Sequence, residues 1–187
     1  MTKQPLLVLY AGVALAMVGY GIVIPLFPFY IEAFGGSGFH LGLLVSSHGL
    51  MQLIFAPVWG SLTDTYGRKP FLLVGMAGLG LGMLLMGLAE QLWMLYVAQI
   101  LAGSLSCATY PAAMAMVSDI YTNEQRSIAM GRVGAAAGLG VILGPGFGGM
   151  MVFHSLATPF FFAGAFCLGV CRTYRHKMTE VAGNEFP

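Results

Sequence analysis

Charge is what this sequence has least of. Only 8% of its 187 residues are Asp, Glu, Lys or Arg, against about 25% in an ordinary soluble domain. With 58% of the chain apolar, there is too little polar surface to wrap a water-soluble core. The composition is that of an integral membrane protein. Cysteine is scarce as well. Cys107, Cys167 and Cys171 all lie in apolar stretches and match neither a zinc spacing nor a disulfide framework, so they read as small packing residues. There is no Gly-x-x-x-x-Gly-Lys-Ser/Thr loop to cradle phosphate, no metal-ligand spacing and no pair of neighbouring carboxylates. Those absences speak against an ATP-driven pump and leave nothing that reads as an enzyme, a cofactor site or a metal site. No basic run accompanies the net charge of +1, so nucleic acid is not an expected partner. No Asp or Glu lies deep inside an apolar run, which leaves this chain without an obvious carboxylate proton carrier.

What the chain does have is apolar length. Six runs stand out: Leu6 to Ile31, Leu41 to Leu62, Phe71 to Ala89, Leu92 to Ser118, Ile128 to Phe153 and Pro159 to Cys171. The first five reach or nearly reach the roughly 20 residues that cross about 30 Å of hydrocarbon as a helix. The sixth is short. A secretory signal is excluded because the first run continues far past a signal core of about 7–15 residues. The expected fold is therefore an all-α bundle of six spans over residues 1–171, with a short sixth helix, followed by a polar, disordered cytoplasmic tail over 172–187.

Basic residues set the expected orientation. With a cytoplasmic N-terminus, Lys3, Arg68, Lys69, Arg126, Arg132, Arg172, Arg175 and Lys177 all fall inside, while the outer loops carry Glu32, His40, Glu90 and His154. This is the positive-inside bias, and it also argues that the sixth run crosses. The location implied is the cell's inner (plasma) membrane, with the lipid bilayer as a partner.

The charges that exist are concentrated in one turn. Gly60-Ser-Leu-Thr-Asp64-Thr-Tyr-Gly67-Arg68-Lys69-Pro70 joins the second and third runs. Asp64 and Arg68 are four apart, within pairing reach on a helix. Gly67 permits backbone angles that a side chain blocks, and Pro70 suits a first helical turn. Glycine is the other abundance, with 27 residues. Gly78 and Gly82 form a Gly-x-x-x-Gly pair in the third run, read as helix packing. Gly140, Gly144 and Gly148 recur every four residues in the fifth, beside Pro145 and Gly149. Small residues let helix backbones approach in lipid, and an internal proline removes a hydrogen bond and bends its helix.

The pattern Gly-x-Leu-x-Asp-x-x-Gly-Arg-Lys-Pro between a second and a third span resembles the signature loop of the major facilitator superfamily. The resemblance implies a conformational latch formed by Asp64 and Arg68 with Gly60 and Gly67, joined by Asp119 from the matching inner loop after the fourth run. Where the superfamily usually has an Arg directly after the Asp, this chain has Thr65. Gly140-x-x-x-Gly144-Pro145-x-x-Gly148-Gly149 looks like the antiporter motif of the drug:proton antiporters, the multidrug and tetracycline efflux branch. Gly21-x-x-x-Pro25-x-x-Pro28 is similar to the first span of the same branch. The fourth run departs from it, with Gln99 at the position where the branch carries an Arg linked to proton movement.

Gln99, Gly103, Ser106 and Tyr110 share one helical face, which either lines a cavity or satisfies neighbouring helices. His48, Gln52, Phe55 and Trp59 share another. His48, an ionisable group at membrane depth, is either a titrating group or a neutral one hydrogen-bonded to a neighbour. Together with Tyr20 and Pro25, residues His48, Gln52, Gln99, Gly103, Ser106 and Tyr110 make the expected substrate cavity. The resemblance implies proton-coupled efflux of small apolar or amphipathic compounds by the N-terminal six-span half of a twelve-span transporter. A C-terminal half or a second copy is then the expected partner. The chain also reads as a truncated or frame-shifted half, with residues after about Cys167 outside the family sequence. The competing readings are a non-transporting membrane fragment, a half-module that needs a partner, and a metabolite exporter on the same scaffold.

Overall fold

The computed structural model describes residues 4–121, 123–151 and 155–183. Among the described residues the regular structure is entirely helical: α1 (Gln4–Val23), a 3-10 turn (Ile24–Leu26), α2 (Phe27–Ala33), α3 (Gly38–Tyr66), α4 (Arg68–Gly87), α5 (Leu92–Ser106), α6 (Thr109–Ile120), α7 (Asn123–Met151) and α8 (Thr158–Gly183). Among the described residues, five stretches are long and apolar enough to cross a membrane: Leu9–Ala33, Gly38–Tyr66, Arg68–Gly87, Leu92–Asp119 and Gln125–Met151.

Proline explains where the first and fourth spans are interrupted. Pro25 and Pro28 supply no amide donors; the helix tightens into the 3-10 turn around Pro25, and α2 resumes with Pro28 in its first turn. In the fourth span, Pro111 has no N–H for the carbonyl of Cys107, and its ring crowds that same turn. The helix breaks at Cys107 and Ala108, so the expected continuous run from Leu92 to Ser118 is two helices, α5 and α6. The prolines of the second and fifth spans act differently. α3 continues through Pro57 and α7 through Pro145 without a break in assignment.

The sixth apolar run remains the least able to span by composition. The helix that carries it, however, does not end at Cys171. α8 continues to Gly183, so residues 172–183 prolong a helix where a disordered tail was expected; residues 184–187 lie outside the described residues. The prolongation is packed. The Tyr174 side chain is buried, its ring lies against α1 at Gly12, and its hydroxyl is 3.8 Å from Met116 Sδ.

Packing follows small residues. α1 lies along α7 and α8, α4 along α5 and α8, and α3 along α5. The Gly78 and Gly82 pair on α4 faces Leu105 and Ala102 on α5, as the packing reading expected, while Gly80 faces Gly164 and Leu168 on α8. The core is built of side chains such as Leu9, Ile22, Met76, Met83, Leu95 and Phe160. α3 and α7 are the least buried spans and present Leu50, Leu53, Ile54, Ile142, Leu143 and Phe147 outward.

Candidate functional site

The first feature is an ionic clasp at one end of the bundle. Gly67 ends α3 and starts α4 with φ of +91°, a conformation that favours glycine. That turn swings Arg68 back over α3. Its guanidinium pairs with Asp64 one helical turn earlier, and its Nε lies 3.2 Å from Asp119 Oδ2 at the end of α6. One cation thus ties the second, third and fourth spans together. The carboxylates are largely exposed, 68% for Asp64 and 56% for Asp119. Exposed pairs stabilise by only about 0–1 kcal/mol, so the clasp adds little to the stability of the bundle. Thr65, where the superfamily usually places an Arg, donates its hydroxyl to the Ser61 carbonyl at 3.0 Å. A Cβ at Gly60 would meet nothing within 4 Å, so among the described residues no close packing at Gly60 supports the clasp.

The second feature is the contact between the first and fifth spans. Cβ atoms added at Gly140 and Gly144 would collide with the backbone of α1 at Ala14 and Gly21, and one at Gly148 would sit 2.6 Å from the Ile22 carbonyl. Three of the motif glycines therefore form a flat rail along α1. The remaining members point away. Gly149 faces open space and Pro145 is exposed. The motif is two-sided, with one face packed on α1 and the other uncovered by the described residues.

The third feature is a cavity of about 520 Å³ between α1, α3 and the α5–α6 break. Of the expected cavity residues, Tyr20, His48, Gln52, Ser106 and Tyr110 line it. Pro25, Gln99 and Gly103 do not. Gln99 is buried among the helices, 2% exposed. Gly103 is the crossing point of α5 and α3, where an added Cβ would lie 2.8 Å from the His48 carbonyl. The same helix pair is pinned at either end by Tyr96 Oη donating to the His40 carbonyl at 3.2 Å and Trp59 Nε1 donating to the Ser104 carbonyl at 2.6 Å. Sequence reasoning missed Thr109 and Cys107, which line the cavity because the chain is unwound beside them. The signal was present in Pro111, four residues after Cys107. Non-helical backbone at membrane depth is tolerated where it borders a cavity.

The sequence pattern of the Major Facilitator Superfamily matches residues 9–180. The chain belongs to the Major Facilitator Superfamily. It is a multi-pass membrane protein of a transporter superfamily and not an enzyme. The match continues to residue 180, so the expectation that family sequence ends near Cys167 is overturned, in agreement with the packed Tyr174. Multidrug resistance protein 2 of Bacillus subtilis (strain 168) is 36% identical over 166 residues, covering 89% of this chain and 42% of the relative. The class H tetracycline resistance protein of Pasteurella multocida is 37% identical over 166 residues, covering 87% of this chain and 41% of the relative. Among solved structures, the human organic anion transporter MFSD10 (TETRAN) superposes with a TM-score of 0.75 at 19% identity, over 93% of this chain and 48% of that one; this likeness concerns the fold. The chain thus spans less than half the length of these superfamily relatives and corresponds to their N-terminal half.

Proposed function

We propose that this chain forms the N-terminal half of a proton-coupled efflux transporter for small apolar or amphipathic compounds, working by alternating access with a second six-span half. The clasp carries the reading. Arg68 bridging Asp64 and Asp119 is a solvent-accessible tie across three spans, which supports a device that favours one of two states. Efflux rather than uptake is favoured by the glycine rail of α7 on α1 and by relatives named for resistance to drugs and to tetracycline. The cavity beside the α5–α6 break, with Met17, Tyr20 and Tyr110 in its wall, suits loosely shaped apolar ligands because methionine and aromatic side chains adapt to them. The membrane is the cell's inner membrane, with the N-terminus and the clasp on the cytoplasmic side.

The reading that this chain is a half-module in need of a partner is favoured by coverage of about 42% of its relatives. A second six-span half would cover the outward faces of α3 and α7; two copies of this chain are the other arrangement. The test is efflux of a lipophilic cationic dye from vesicles under an imposed proton gradient. Vesicles with this chain alone should show little gradient-dependent efflux, and adding a C-terminal half from a relative should restore it. No restoration, with both halves present in the membrane, would contradict the transporter reading.

A further inference from the structure

We infer that His48 is the proton-binding group of this half, taking a proton at Nδ1 and releasing it when substrate enters the cavity; the inference rests on the proton-coupled reading above. His48 is on α3 at membrane depth, 6% exposed, and lines the cavity. Its Nε2 is 3.2 Å from the side-chain amide nitrogen of Gln52. Its Nδ1 is buried with no partner in full hydrogen-bond geometry, and the Gln99 main chain is placed for at most a weak hydrogen bond to the ring. A purely structural buried histidine would have both ring nitrogens satisfied, since buried polar atoms are seldom left unpaired.

Gln52 is a partner suited to both protonation states. Its amide NH2 donates to Nε2 when the neutral ring carries its proton on Nδ1. Turned over, its oxygen accepts from Nε2–H, and the free lone pair on Nδ1 then takes a proton. The resulting imidazolium faces Tyr20, whose ring centroid is 5.8 Å away with the planes inclined by 26°, within the range of a cation–π contact. Every element around the cavity supports the same assignment. The titratable groups that line it besides His48 are Tyr20 on α1, Cys107 at the break and Tyr110 on α6; α4 contributes Leu79, and α3 adds the neutral Gln52. Among the described residues, no Asp, Glu, Lys or Arg lines the cavity. A cationic or amphipathic guest would meet the imidazolium directly, and proton release would remove the repulsion. Thr109 Oγ1, also buried without a partner and in the same wall, offers the guest a hydrogen bond.

The test uses the full chain in detergent micelles with nitrogen-15-labelled histidine. His48 is assigned by comparing the wild type with His48→Gln. The expected result is that the His48 ring nitrogens take up a proton as the pH is lowered while the chain stays folded. A ring that stays neutral throughout would overturn the inference, whether or not the chain transports anything. In weakly buffered solution, tetraphenylphosphonium should release protons from the wild type and from His40→Gln, and none from His48→Gln. Equal release from His48→Gln would overturn the inference while leaving the efflux reading intact. If tetraphenylphosphonium does not bind the wild type, the efflux reading suffers and the titration alone decides on His48. If His48→Gln fails to fold, Gln52→Leu supplies the assignment through the shift of the neighbouring ring.

Discussion

Arg68 illustrates how a single side chain ties three spans together. Its two carboxylate partners come from different helices and are half exposed or more, so water competes for all three groups. Replacing Asp64 by Asn removes a charge without changing shape. Folding should therefore barely respond, because exposed pairs contribute about 0–1 kcal/mol. Proton-driven efflux by the chain paired with a C-terminal half should fall by roughly tenfold, the size of an ordinary conformational coupling. The two readouts together are diagnostic: a thermal midpoint close to wild type with efflux lost supports the clasp, whereas unchanged efflux removes it. Asp64 was legible as a partner of Arg68 from its spacing of four residues, whereas nothing in the spacing points to Asp119, which entered only through the resemblance to the superfamily's inner loop. Gln99 and Gly103 were harder. Helical periodicity places them on one face with Ser106 and Tyr110 but does not say whether a cavity or another helix meets that face. Gly103 has no side chain to hold α3 away, so α3 closes on it and the cavity begins one turn further along, at Ser106.

Helices carry the next level of the argument. All five strongly apolar spans were readable from run length, because lipid leaves helix formation as the way to satisfy a single apolar run. The α5–α6 break was readable in principle from Pro111 and was missed because the hydropathy of the run is uninterrupted there. α8 was misjudged for the opposite reason. Its second half is polar, which suggests a loop if membrane burial is taken to be the sole reason for helicity, yet Tyr174 docks onto Gly12 and Met116 and holds the helix together. The glycine rail gives the sharpest test at this level. Gly144→Leu forces a side chain into the α1 backbone at Gly21, whereas Gly149→Leu extends into open space. Overpacking of this kind costs about 1–3 kcal/mol, occasionally more. Size-exclusion profiles in mild detergent should show aggregation or a broadened peak for Gly144→Leu and a wild-type peak for Gly149→Leu. Equal behaviour of the two variants would mean that α1 and α7 do not meet along the rail. Should Gly149→Leu fold normally yet lose efflux with the C-terminal half, the outward face of the motif would be where the second half docks.

For the molecule as a whole, the apolar surface is unevenly used. Among the described residues, α3 and α7 keep long apolar faces uncovered, and α3 also contributes to both the cavity and the clasp. This geometry suits one half of a two-part machine, and it depends on the clasp facing the cytoplasm. Thr65 sits in the clasp turn with its side chain exposed, one residue from Asp64. Its sidedness is the most direct measurement. With Cys107, Cys167 and Cys171 replaced by Ala and Thr65 by Cys, a membrane-impermeant maleimide should leave intact cells unlabelled and should label inside-out vesicles. Labelling of intact cells would put the clasp on the outer face and contradict the account.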